Sequence, residues 1–286
     1  MKINAHAKVN LALDVVGKNE SGMHDLKTIM APIELHDVIS ISLRHDSSDI
    51  KINVFNDNDV PANEENIIYQ TCRMIQDTFN LHNGFSIYLQ KNIPTKSGLG
   101  GGSADAAAVL RAINKICCLN LSKQQMVSRA EKISWDVPFC LYNRPSYIHL
   151  SSTNIEFINS TLPYHVLLVM PAFGVQTGQA FREIDLLSLT HPDCAALVKK
   201  LESNCYNRSA DLFGNSFLSI PYLHQEYSKI KNLVGEIGFE AISLTGTGSC
   251  FFLLSKNIDT IELGCEILSK EYPYVKKTSF YHGSTE

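Results

Sequence analysis

Residues 98–108 read GLGGGSADAAA, four glycines in five positions followed by a serine and an alanine-rich run. No other feature restricts the fold so strongly. Glycine loses more backbone entropy on ordering than any other residue and has no side chain to pack, so such a run persists only where bare main chain is needed. A flexible linker is at odds with its flanks. Upstream, FSIYLQ alternates at Phe85, Ile87 and Leu89, as a strand does. Downstream, Ala106, Val109, Leu110, Ile113, Ile116 and Cys117 recur at three- and four-residue steps, the spacing of a buried helix face. A helix C-cap needs one glycine, not four. What remains is a wide loop whose amides face an anion, with a helix N-terminus behind it. That end carries about +0.5 charge, and its first N–H groups lack internal acceptors. Ser103 stands where an N-cap belongs; it either only caps or also faces a phosphate or Mg²⁺. Asp105 is either an acid that complements the helix dipole or a metal ligand.

The rest of the chain supplies a frame for this loop. DVISISL (37–43) sets Val38, Ser40 and Ser42 against Ile39, Ile41 and Leu43, and DIKINVF alternates at Ile50, Ile52 and Val54. Both read as strands of a sheet covered on one side. Between these and FSIYLQ, residues 64–79 place Ile67, Ile68, Thr71, Cys72 and Ile75 on one helical face. Another helix starts at Ser122, where Gln125 completes a capping box, and is expected to reach about Ser134. Pro138 is expected to hold Val137 extended, with a turn at Trp135 and Asp136. HVLLVMP (165–171) reads as a buried strand, and EAISLTGTGSCFFLLS (240–255) as strand, glycine turn, strand. Its LTGTGS is either a plain hairpin turn or part of a phosphate site. The elements mix without strict βαβ alternation, which predicts an α+β fold. The polar stretch 149–163 suggests two halves, 1–155 and 156–286.

Composition narrows the function. A net charge of −4 provides no basic field for a general nucleic-acid binder. No apolar run approaches the ~20 residues of a membrane span, and the opening MKINAHAKVNLAL lacks the uninterrupted apolar core of a signal peptide. Eight cysteines without a CxxC pair, Cys205 among them, most in apolar surroundings, read as reduced core thiols of a cytoplasmic protein. The histidines show no HExxH-like spacing, so no protein-bound zinc is expected. The glycine loop lacks the GK[ST] of a Walker A loop and the GxGxxG of a dinucleotide fold, and the chain has neither HRD nor DFG.

Three segments in order carry more weight than any one. AKVNLALDVVGKNESGMHDLKT, PTKSGLGGGSADAAA and LTGTGSCFF together resemble the motifs of the galactokinase, homoserine kinase, mevalonate kinase and phosphomevalonate kinase superfamily. AKVNL, GLGGGSADAA and DVPFC are most similar to the branch acting on 4-diphosphocytidyl-2-C-methyl-D-erythritol, a non-mevalonate route to isoprenoid precursors. The resemblance implies a two-domain architecture with an interdomain active site and ATP-dependent phosphorylation of that molecule's 2-hydroxyl. ATP would lie over Pro94, Thr95, Lys96, Ser97, Gly98, Leu99, Gly100, Gly101, Gly102, Ser103 and Ala104, with Mg²⁺ arriving on the nucleotide. Lys8 and Asp136 match the family's catalytic pair, with Asn10 beside them. His24 matches its cytosine-reading histidine, and Thr177 and Phe181 match the cytidine pocket. Asn66 is either a helix cap or an adenine contact. Three positions depart from the family: Met23 replaces a tyrosine, Trp135 a small residue, and Ala104 a second serine. Rival readings are another small-molecule alcohol kinase of the superfamily and a nucleotide-binding module without catalysis. The expected partner is a small molecule, with neither nucleic acid nor membrane.

Overall fold

Strand β1 (Lys2–Lys18) alternates Ile3, Ala5, Ala7, Val9 and Leu11 with Asn4, His6, Lys8 and Asn10, yet every residue from Ala5 to Val15 is buried. A strand covered on one side leaves its polar set in water. Here His6, Lys8 and Asn10 are covered too, the first sign that these side chains have partners. The computed structural model describes residues 1–283 apart from Ser21, Asn58 and 205–209; Cys205 therefore lies outside the described residues. It divides into two compact units, one of residues 1–7, 35–95 and 100–143, the other of 8–34, 96–99 and 144–286. β1 and its partner β2 (His24–Arg44) each contribute to both. The polar stretch 149–163 lies within the second unit, and the last passage of the chain between units falls at 143/144.

In the first unit, β2 from Val38 to Arg44 pairs antiparallel with β4 (Gly84–Gln90). β3 (Ile50–Phe55) pairs parallel with β4, Ile50 opposite Phe85. A parallel pair needs a crossover, supplied by α1 (Ile67–Phe79), which buries Ile68, Thr71, Cys72 and Ile75 as the periodicity predicts but leaves Ile67 half-buried. α2 (Gly101–Ile116) packs against α1 and against α4 (Val137–Tyr142). α3 (Lys123–Ala130) carries the capping box of Ser122 and Gln125. It ends four residues before the expected Ser134; Ile133 and Ser134 both donate to Ala130 O, closing the helix with turns. Val137 is not extended either. It opens α4 with Pro138 in the first turn, where a missing N–H leaves no bond unmade. The turn at Trp135 and Asp136 is present.

In the second unit, Lys27–Met30 of β2 pair with β5 (Ser146–His149), which pairs with β6 (Ile155–Phe157). A second, all-antiparallel sheet has the order β10 (Tyr274–Ser279), β7 (His165–Met170), β9 (Phe251–Ser255), β8 (Ala241–Leu244). β7 precedes helices α5 (Thr177–Ile184), α6 (Cys194–Glu202) and α7 (Pro221–Leu233). β8 and β9 form the expected pair around the glycine turn, followed by α8 (Ile258–Leu268) and β10. All five residues of β9 are buried, and α8 packs on β7 and β9. The fold is thus α+β. Among the described residues, no helix is long and apolar enough to cross a membrane.

Seven cysteines lie among the described residues, all free. Cys72, Cys140, Cys194 and Cys250 are buried, and burial pushes the Cys194 and Cys250 thiols up to about 12. Cys117, Cys118 and Cys265 are not core residues, contrary to a uniform core reading.

Candidate active site

The glycine loop is built by two sets of main-chain contacts. Residues 96–99 are pinned at four points: Val175 N donates to Lys96 O (3.2 Å), Cys250 N to Ser97 O (3.0 Å), Lys8 N to Leu99 O (3.0 Å), and Thr245 Oγ1 lies 3.3 Å from Gly98 O. Lys96 takes a left-handed backbone, φ 53°. Gly98 (φ +78°) is pressed so closely on the turn after β8 that an added Cβ would stand 2.1 Å from Thr245 O. The second part is the start of α2. Its N-cap is Gly100, φ 71°, not Ser103, which sits in the first turn with Oγ 3.5 Å from Ser134 Oγ. The helix ladder begins with Ala104 N donating to Gly100 O at 2.9 Å, so the N–H groups of Gly101, Gly102 and Ser103 have no acceptor inside the helix. A Cβ on Gly101 would meet Ile93 and Lys91, so this glycine makes room for the protein beneath it. Pro94 and Thr95 are half-buried.

Asn66 is the N-cap of α1: its Oδ1 accepts from Ile68 N (2.8 Å) and its Nδ2 donates to Pro61 O (2.6 Å). The neighbouring Ile67 would lie 3.6 Å from a Cβ on Gly102, so the start of α1 flanks the start of α2. Asp136, half-buried two residues after Ser134, occupies the N-cap position of α4 without a side-chain capping bond. It therefore faces the positive end of a helix, whereas the sequence placed it after a helix C-terminus.

Lys8 is buried, and its Nζ donates to Asn10 Oδ1 at 2.6 Å. The same oxygen accepts from Gly246 N (2.8 Å) and lies 3.3 Å from Thr245 Oγ1. Asn10 Nδ2 donates to Thr28 Oγ1 (2.8 Å), which donates to Ala12 O. Asn10 thus joins Lys8, the turn after β8 and, through Thr245, Gly98. Sequence reasoning found Lys8, Asn10 and LTGTGS but missed Thr28, because only strand pairing brings it across 18 positions.

A third group surrounds His24. Its ring lies 4.6 Å from that of Phe181, and Phe181 meets Phe217 edge-on at 5.0 Å. His24 Nε2 is 2.7 Å from Asp185 Oδ1, and Lys18 Nζ donates to Asp185 Oδ2 at 2.7 Å. Lys18 and His24 hold the Asp185 carboxyl below the usual range. An ionised carboxylate only accepts, so Nε2 is the donor of this pair and Nδ1 is the ring nitrogen left for another partner. Asp185 was missed although the signal existed: it lies four residues after Phe181, on the same face of a helix. Met23 is 65% exposed. Thr177 Oγ1 is 3.4 Å from Thr247 Oγ1.

Asp105 lies past the first turn of α2, and among the described residues it belongs to no metal-ligand cluster. It is buried with its Oδ2 2.9 Å from Lys91 Nζ, and Lys91 also donates to Asp37. Burial pushes Asp105 up to about 8 against the pull of Lys91, with Asp37 adding to the rise. Lys91 is held above the ordinary lysine range: burial opposes its charge, but Asp105 and Asp37 more than offset that. Between the unfolded carboxylate pKa and about 8 the folded state keeps a proton that the unfolded state releases, so stability falls as pH rises through that window. Urea unfolding from about pH 6 to about pH 9 should show a falling midpoint, and Asp105→Asn, which cannot ionise, should flatten the slope. An equal slope in the variant would reject this assignment.

Residues 66–144 match the GHMP kinases N terminal domain family. Across 99% of this chain and 100% of the other, the fold is that of a crystal structure of 4-(cytidine 5'-diphospho)-2C-methyl-D-erythritol kinase, with TM-score 0.79 and 24% identity. A homoserine kinase from Cytophaga hutchinsonii shares the fold over 97% of this chain and 94% of its own, with TM-score 0.72 and 17% identity. Fold and sequence thus define a small-molecule kinase, a class that uses ATP. The 4-diphosphocytidyl-2-C-methyl-D-erythritol kinase of Clostridium tetani is 34% identical over 97% of this chain and all of its own length. That of Clostridium acetobutylicum is 33% identical over 95% and 97%. The chain belongs to the 4-diphosphocytidyl-2-C-methyl-D-erythritol kinase family.

Proposed function

We propose that the protein transfers the γ-phosphoryl group of ATP to the 2-hydroxyl of 4-diphosphocytidyl-2-C-methyl-D-erythritol. The observation that carries this reading is the buried Lys8: its ammonium rests on Asn10 while its own N–H holds Leu99 in the glycine loop. A lysine buried on a strand needs a task, and here its main chain is part of the loop assigned to phosphates. Residues 94–104 take the triphosphate, with the free N–H groups at the start of α2 on its oxygens, and the Asn66 end of α1 flanks the nucleotide. Phosphoryl transfer has a loose transition state, so positioning and charge neutralisation do most of the work. Asp136 orients the acceptor hydroxyl and takes its proton as the oxygen bonds to the γ-phosphorus and the bond to ADP breaks. Lys8 neutralises the charge that builds on the transferring group. His24 reads the cytosine edge through Nδ1, and Phe181 and Thr177 line the same pocket. Mg²⁺ comes with the nucleotide, as it does where phosphates supply much of its shell; among the described residues no group of three or more His, Cys, Asp or Glu side chains is placed to hold it.

The test is ADP formation from Mg-ATP with and without the proposed acceptor, beside mevalonate, homoserine and a hexose. ADP release with the cytidine compound and not with the others is expected. Preference for another alcohol would move the protein to a different branch, and turnover of none would reduce it to a binding module.

A further inference from the structure

Asp37, Lys91 and Asp105 form a buried ionic cluster that the reaction above does not use. Their side chains are at most 4% exposed. Lys91 Nζ donates to one oxygen of Asp37 and to Asp105 Oδ2. The other oxygen of Asp37 accepts the N–H groups of Asn92 (2.5 Å) and Ile93 (2.9 Å), the two residues that lead into Pro94. Asp105 belongs to the second turn of α2. Under the first residue of that helix, a Cβ on Gly101 would stand 3.3 Å from Lys91 Nζ and 3.0 Å from Ile93 Cγ2. One ammonium therefore ties the interior of β2, the entry to the glycine loop and the helix behind it.

Stability is a poor reason for such a cluster. Buried ion groups replaced by apolar side chains of similar volume are often as stable or more so. Asp105 Oδ1 is also buried without a partner, which costs free energy. An ammonium near a helix N-terminus is further opposed by the helix dipole. What the cluster supplies and an apolar patch does not is direction: hydrogen bonds that fix where Asn92, Ile93 and the start of α2 sit.

We propose that Lys91, gripped by Asp37 and Asp105, is the positioning residue of the phosphate loop. It holds residues 92–94 and the first turn of α2 in the arrangement that receives the triphosphate. This rests on the reading of residues 94–104 as the ATP loop. Two full-length variants test it: Lys91→Met, and the pair Lys91→Met/Asp37→Asn, which removes one charge of each sign and keeps an oxygen at position 37 for the N–H groups of Asn92 and Ile93. Thermal unfolding and steady-state kinetics with both substrates are measured for each. The pair should keep the unfolding temperature of the parent while KM for ATP rises about tenfold, about 1.4 kcal/mol, and KM for the acceptor stays constant. Lys91→Met alone should be less stable and show the same selective rise. A fall in kcat with both KM values unchanged reports only a smaller folded fraction and overturns the proposal. So does an equal rise in both, or failure of both variants to fold, which would make the cluster a folding element. If the parent binds no ATP, the loop reading falls and this inference with it; if the parent binds ATP and the pair matches it, only the inference falls.

Discussion

Lys8→Met and Asp136→Asn should each fold, bind ATP within a few-fold of the parent, and lose about 10²–10⁴-fold in phosphoryl transfer. The two substitutions remove different things. Methionine keeps most of the volume of Lys8 and deletes its charge; Asn10 Oδ1 loses one donor but keeps Gly246 N and its contact with Thr245 Oγ1. The backbone N–H that holds Leu99 O is unaffected, so the loop keeps its anchor. The loss then falls on the transition state, where charge builds on the transferring group. Asparagine at position 136 is as good an N-cap as aspartate, and Asp136 makes no capping bond to lose. The variant retains shape and polarity and cannot take the proton. A drop in kcat with KM for ATP little changed marks both as groups that act in the transition state. Turnover near the parent's in both variants would end the catalytic assignment. Loss of nucleotide binding in Lys8→Met with the fold intact would instead make Lys8 part of the loop's scaffold.

The legible parts of the fold were those set by local periodicity. β3, β4, α1 and the strand pair around LTGTGS follow from alternation and helical spacing, which report a buried face directly. The errors share one cause: a local rule yielded to a contact further away. Pro138 restricts its predecessor in isolation, yet Val137 enters α4 because a proline in the first turn of a helix is no obstacle. Ser103 is the better capping residue by chemistry, but Gly100 takes the position because the chain must turn left-handed there. From Ala5 to Val15, β1 alternates like a half-exposed strand and is buried on both faces, its Lys8 bonded to Asn10 and Asn10 to Thr28 and Gly246. The Asp37–Lys91–Asp105 cluster spans 68 positions, and no spacing rule connects its members. Nor did the sequence reveal what most of the glycines do. Bare backbone open to an anion is one task, but Gly98 and Gly101 are also required by protein lying against them.

Gly98 makes that distinction measurable. Gly98→Ala should lower the unfolding free energy by at least about 3 kcal/mol, near the upper end for a single substitution. Two terms add. The left-handed backbone at φ +78° disfavours any L side chain by about 1–2 kcal/mol. The new methyl would stand 2.1 Å from Thr245 O and 3.2 Å from Gly248 N, and both neighbours are main chain, so no rotamer change relieves the overlap. The two loops must separate, which breaks the approach of Thr245 Oγ1 to Gly98 O and disturbs the bond from Lys8 N to Leu99 O. For a chain of this size the unfolding temperature should fall by roughly 10 °C, at about 2–4 °C per kcal/mol, and ATP turnover should fall with it. Gly102→Ala, one turn into the same motif, is the control. Its added methyl makes only an ordinary 3.6 Å contact with Ile67, and alanine favours a helix over glycine by about 1 kcal/mol, so its stability should hold or rise. If the two alanines destabilise alike, the run is intolerant for composition alone. If Gly98→Ala is harmless, the close seating of the loop against the turn after β8 is wrong, and with it the route by which Asn10 ties Lys8 to the loop.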